Sequence, residues 1–206
     1  MSNKDTPFGL RPIRHKNGAP YNGAFNPYFV PASYGTALFI GDAVVKTGTS
    51  NTAEVVAPGA GKFAIGTLPE VNRVAAGDGN AITGVIVGFA PSPTNLGLNY
   101  NPASTARVVY VCDDPDVVFE IQADGAVPAA SVGLNAVLIY THAGSTVTGL
   151  SGAELDTTSD VPAADASNQL TIQRIVNRED NTPNLIHNKI EVKINQHTEA
   201  DNTLGI

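Results

Sequence analysis

Period-two alternation of apolar and polar positions is the dominant pattern in this chain. It is clearest over 117–124, where Val117, Phe119, Ile121 and Ala123 alternate with Val118, Glu120, Gln122 and Asp124. It returns near the end, where Ile190, Val192 and Ile194 alternate with Glu191, Lys193 and Asn195. Every second side chain of a strand reaches the same face, so both stretches predict strands. Short apolar runs bounded by turn residues predict further strands at 37–40, 43–46, 54–57, 63–68, 81–89, 107–112, 137–140 and 170–176. Within 81–89, Gly84 and Gly88 fit a bulge or a close approach of strands. The polar stretches 90–103, 113–116, 144–167 and 178–188 predict connections, with a short helix allowed near 151–156. No segment carries a sustained i, i+3, i+4 stripe. The pattern predicts an all-β fold, a sandwich or barrel of short strands.

The first 34 residues follow a different rule. Pro7, Pro12, Pro20, Pro27 and Pro31 bar helix interiors and push their predecessors to extended geometry. Asn17-Gly18 and Asn22-Gly23 are turn dipeptides. The segment holds six of the chain's thirteen Phe and Tyr residues. It has four basic residues against one acid, a net +3, whereas the remaining 172 residues have 8 basic and 18 acidic side chains, a net −10. These features predict an extended N-terminal arm over 1–34 on a β-rich body over 35–206, with a break near 91–105 that would divide the body into two small β subdomains. Burying six rings offsets less than the backbone entropy of ordering such a segment, so the arm needs backbone hydrogen bonds as well. Strand addition to a neighbouring subunit would supply them. The expected interface residues are Phe8, Arg11, Arg14, Tyr21, Phe25, Tyr28, Phe29 and Tyr34, with the arginines pairing carboxylates. On this reading, deleting 1–34 leaves a folded body.

Composition narrows the chemistry. With no Trp and 42% hydrophobic residues, Val, Ile, Leu and Ala must fill the core. The one cysteine, Cys112, excludes an internal disulfide framework and reads as a buried, inert thiol. The acidic body argues against nucleic acid as a ligand. No apolar run approaches the ~20 residues of a membrane helix, and no leader pattern opens the chain, so synthesis in a reducing cytoplasm is expected. Gly61-Lys62 is a turn, because a phosphate loop would need Gly at Val56 and Ser or Thr at Phe63. Asp113, Asp114 and Asp116 lack the spacing of a calcium loop and read as a solvated acidic turn. His15, His142, His187 and His197 have no metal-ligand spacing and read as surface residues. No Gly-x-Ser-x-Gly elbow is present. No catalytic, cofactor or metal residue is therefore assigned.

The opening DTPFGLRPIRHKNGAPYNGAFNPYFVPASYGTALFIGDAVVKTG and the later GVIVGF, VGLNAVLIYTHAGSTVTGLSGAELDT, LTIQRIVNREDN and VKINQHT resemble structural proteins encoded beside the major capsid gene of tailed bacteriophages. That group is usually assigned as capsid decoration, or cement, proteins. The resemblance covers most of the chain. It implies a β-rich body on the outer capsid surface of the virion, commonly as trimers near three-fold positions, with the major capsid protein and sister copies as partners. It carries over no catalytic residue. The expected function is thus non-enzymatic binding and stabilisation of the shell, with the arm bridging neighbouring subunits. A minor head or tail component, such as a fibre or connector, is the alternative, followed by a glycan-binding or glycan-hydrolysing β protein.

Overall fold

The computed structural model describes residues 3–200. Its elements, in chain order, are β1 (Arg11–His15), β2 (Asn26–Val30), β3 (Ala43–Ser50), β4 (Val55–Ala57), β5 (Gly61–Phe63), β6 (Pro69–Arg73), β7 (Gly84–Phe89), β8 (Arg107–Cys112), β9 (Val117–Gln122), a 3-10 turn at Ala129–Ser131, β10 (Asn135–Ala136), β11 (Leu138–Ile139), β12 (Glu154–Leu155), β13 (Leu170–Ile175) and β14 (Lys189–Ile194). The protein is all-β. Strands β2-β6-β3-β7-β8 close a barrel, and β1-β9-β14-β13-β10 form a five-stranded sheet. Two small hairpin-like pairs, β4-β5 and β11-β12, complete the fold.

Strand alternation distributes the apolar residues among three cores. Val44, Ile86, Val109 and Val111 point into the barrel with Tyr28, Val30, Leu38 and Val71. Their chain neighbours Ala43, Val85 and Cys112 point outward and join Phe119, Ile121, Leu170, Ile172, Ile190 and Val192 of the sheet. Barrel and sheet therefore share one core. Val108 and Tyr110, on the remaining outward face of β8, join Phe29, Ala57, Leu68 and Ala90 in a third cluster. Cys112 is buried as expected, and burial pushes its thiol up to about 11.

Several sequence expectations change. The polar stretch around 91–105 is no domain break. It connects β7 to β8, which pair antiparallel inside the barrel. The chain leaves the barrel for the sheet at the Asp113–Asp116 turn instead. Residues 151–156 are extended rather than helical, because Leu138 and Ile139 pair with Leu155 and Glu154 and the Asp124 amide donates to Leu155 O at 3.1 Å. Residues 37–40 make only isolated bridges, Leu38 with Asn101 and Ile40 with Leu150. The strand β6 goes unannounced in the pattern, since Pro69, Glu70, Asn72 and Arg73 flank a single buried Val71. Leu204 and Ile206, the apolar anchors of the tail, lie outside the described residues.

The largest correction concerns the N-terminal segment. It is extended and helix-free, but its pairing partners belong to its own chain. β1 forms an edge of the sheet against β9, with Arg11 opposite Glu120 and His15 opposite Val117. Pro12 is tolerated there because an edge strand leaves one row of backbone groups unpaired. β2 is a barrel stave, antiparallel to β8 from Asn26↔Val111 to Val30↔Arg107, and Phe29 meets Glu70 of β6 in parallel to close the ring. The division at residue 34 therefore runs through one folded unit.

Candidate functional site

The charge asymmetry of the sequence resolves into internal complementarity. Arg11 Nη2 lies 2.7 Å from Glu120 Oε2, and Arg14 donates from Nε (3.2 Å) and Nη2 (2.7 Å) to Glu191 Oε2, which also accepts from Arg174 Nε at 2.7 Å. The acidic turn is held in the same way. Asp113 accepts from Asn26 Nδ2 at 2.9 Å and from the Tyr28 hydroxyl at 2.8 Å, and Asp114 Oδ2 stands 3.2 Å from His15 Nδ1. Asp113–Asp116 is thus a docking point for the N-terminal segment rather than a purely solvated turn.

The eight expected interface residues divide accordingly. Tyr28 is buried inside the barrel. Tyr34 packs against the same interior and its hydroxyl accepts from the Arg73 amide at 3.2 Å. Tyr21 leans on the shared core and donates to Ala24 O at 2.5 Å. Phe8 carries the Arg11 guanidinium 4.9 Å above its ring. With Leu10, Pro12, Tyr21, Ile40, Val87 and Leu150 it lines an apolar cleft of about 290 Å³ where the segment crosses the barrel. The crossing is tight: a Cβ on Gly41 (φ +94°) would meet Phe8 O at 2.6 Å, and one on Gly9 (φ +72°) would meet Gly41 O at 2.6 Å. Only glycine fits both positions. Phe29 and Phe25 face outward. Phe25 stays 49% exposed and rests on Tyr110, with ring centroids 4.5 Å apart.

Beside that outward face lies an open groove of about 520 Å³. Phe29 and Val108 form its floor. Residues 51–58, which lead into and include β4, form one wall, and 90–94 with Leu98 form the other. The second wall is fixed from below by Arg107. Its guanidinium donates to the carbonyls of Ala90 (2.8 Å), Tyr100 (2.7 Å) and Leu98 (3.1 Å), and lies 5.2 Å from the Phe89 ring centroid. Burial in this carbonyl cradle lowers the Arg107 pKa from its ordinary value. At the rim, Val56 is 63% exposed. The lining is mainly apolar, with Glu54, Thr52, Ser92 and Thr94 among its polar members, a surface that suits an extended chain or a complementary apolar face.

Searched against family models, curated proteins and solved structures, the chain matches none. The groove rests on its own geometry.

Sequence reasoning placed Phe25 and Phe29 on an interface but overlooked the rest of the groove. Val55-Val56 held a usable signal, since consecutive apolar residues in a two-sided strand must send one side chain outward. Arg107, opening an apolar strand, held another. Of the four histidines expected at the surface, His142 is exposed, His15 and His187 are partly buried, and one departs fully. His197 is buried, with Nδ1 accepting from the Glu199 amide at 3.1 Å. His142 and His187 are brought beside Asp5 and Glu154.

Proposed function

We propose that the protein is a virion structural component that binds the outer face of a tailed-phage capsid as a decoration protein, without enzymatic activity. The observation that carries this reading is the open groove lined by Phe29, Val108 and the exposed Val56, with the exposed Phe25 resting on Tyr110. Exposed apolar surface of this kind favours burial against a protein partner. The resemblance of the chain to proteins encoded beside major capsid genes supports the major capsid protein as that partner. Since β1 and β2 are paired internally and Tyr21 packs on the core, the part of the N-terminal segment left to reach a neighbour is the exposed stretch 22–25, which ends at Phe25. Trimerisation at three-fold positions belongs to the same proposal.

Cosedimentation with capsid shells of the same phage lacking this protein tests it. Wild-type chain saturates the shells at hundreds of copies, and Val56→Asp weakens binding by roughly 10-fold to 100-fold, the equivalent of one buried valine. Saturation at a dozen copies or fewer would favour the connector or fibre reading. No binding, or equal binding by the variant, would remove the groove from the interface.

A further inference from the structure

Outside the groove, one cluster of side chains among the described residues has the chemistry of a metal site. Asp5 comes from the segment before β1, Glu154 from β12, and His187 from the connection preceding β14. One ligand atom from each lies within 4.8 Å of the others. His187 Nδ1 is buried and has no hydrogen-bond partner. It stands 3.7 Å from Asp5 Oδ1, beyond hydrogen-bond reach. Ligand atoms sharing a tetrahedral ion, with metal–ligand bonds near 2 Å, lie about 3.3 Å apart. The observed gap is therefore close to one edge of such a site.

The surroundings are organised around these atoms. The Gln122 amide is held by the Thr6 N–H on its oxygen (3.0 Å) and donates from Nε2 to both Asp5 Oδ1 and Glu154 Oε1, each at 2.9 Å. Glu154 Oε2 meets His142 Nδ1 at 2.8 Å and the Thr141 hydroxyl at 3.1 Å. Glu154 is only 1% exposed, yet the ion-pair contacts of Glu154 and Asp5 are with His142 and His187, and involve no Lys or Arg among the described residues. Two carboxylates, one fully buried, are thus met by imidazoles and neutral donors. His187 adopts the left-handed conformation (φ +59°), which a non-glycine residue occupies at a cost and which directs the chain at this point. Asn3 clamps the same connection, donating from Nδ2 to Thr182 O and Ile186 O at 3.0 Å.

We propose that Asp5, Glu154 and His187 bind one divalent ion of the zinc type, with His142 and Gln122 positioning the carboxylates and water completing the coordination. A mixed nitrogen and carboxylate set selects zinc-like ions over calcium, which takes oxygen ligands alone. The ion ties the N-terminus to β12 and to the β13–β14 connection, three segments far apart in sequence. It thereby acts as a structural staple in a chain with a single cysteine.

Titration of the metal-stripped full-length protein with Zn²⁺ is expected to give one site per chain and, at about 100-fold excess over Kd, to raise the melting temperature by about 5–10 °C. Asp5→Asn and His187→Gln are expected to abolish both effects while circular dichroism confirms the fold. Calcium at the same concentration gives no shift. If a variant fails to fold, Co²⁺ added to the wild-type protein provides the reading, through paramagnetic displacement of the His187 ring resonances. Absence of a Zn²⁺ response, an equal response in both variants, an equal response to calcium, or Co²⁺ effects away from His187 would each overturn the proposal.

Discussion

At the scale of single residues, Asp42 illustrates what burial does to a group whose type is plain and whose setting is not. In the sequence it follows Gly41 at an ordinary turn. In the fold it is 1% exposed, its carboxylate accepting from the Ser151 hydroxyl at 2.5 Å and from the Phe39 amide at 2.8 Å. Loss of solvent outweighs these bonds and raises the Asp42 pKa. A carboxyl with a raised folded pKa binds protons more tightly in the native state than in the unfolded one. Its contribution to stability is complete below the unfolded value, near pH 4, and is lost as pH rises through the folded pKa. Asp42→Asn should remove this term, so variant and wild type should diverge in urea-unfolding free energy as pH rises from about 4 to 8, the variant gaining at most about 1.4 kcal/mol per pH unit. Parallel pH profiles would show that the hydrogen bonds, rather than desolvation, dominate. Cys112 gives the contrasting case. Its apolar, β-branched neighbours made burial legible, and the thiol is indeed buried.

At the scale of elements, β8, β9, β13 and β14 were readable because long apolar or alternating runs leave little choice of conformation. β9 still departs from its pattern. Glu120 and Gln122 alternate with apolar residues as an exposed face would, yet all six residues of β9 are buried. The N-terminal segment covers that face, placing Arg11 on Glu120 and Asp5 on Gln122. The cluster of Thr and Gly after Lys46 reads as a turn, but the backbone continues as β3 through an irregular register with β6. The arm shows the same limit more strongly: its prolines dictate extended geometry, and nothing local dictates the partner. Because β2 closes the barrel, removal of residues 1–34 should abolish the native fold rather than leave an intact body. It would expose the open edges of β6 and β8 and take β1 from β9. Near-UV circular dichroism of the truncated chain should lose its native signal, and thermal unfolding should lose its sharp transition. A truncated chain melting cooperatively near the full-length temperature would contradict this assignment.

At the scale of the whole molecule, the barrel and sheet share the core built from Ala43, Val85 and Cys112 on one side and Phe119, Ile172 and Val192 on the other. Segments also cross between the layers, since β1 belongs to the sheet and β2, eleven positions after His15, belongs to the barrel. Calorimetric unfolding should therefore be a single transition, with calorimetric and van't Hoff enthalpies in agreement. Two resolved transitions would restore independent subdomains.

The sequence by itself determined the all-β class, most strand positions, the buried cysteine and the extended, helix-free N-terminal segment. These follow from side-chain periodicity and proline geometry, which act over a few residues. Only the tertiary structure decided that the cationic segment satisfies its own acidic body. It alone gathered Val56, Phe29 and Val108 around a groove, and Asp5, Glu154 and His187 around a common point. Those outcomes depend on strand order and long-range pairing, and a period of two constrains neither.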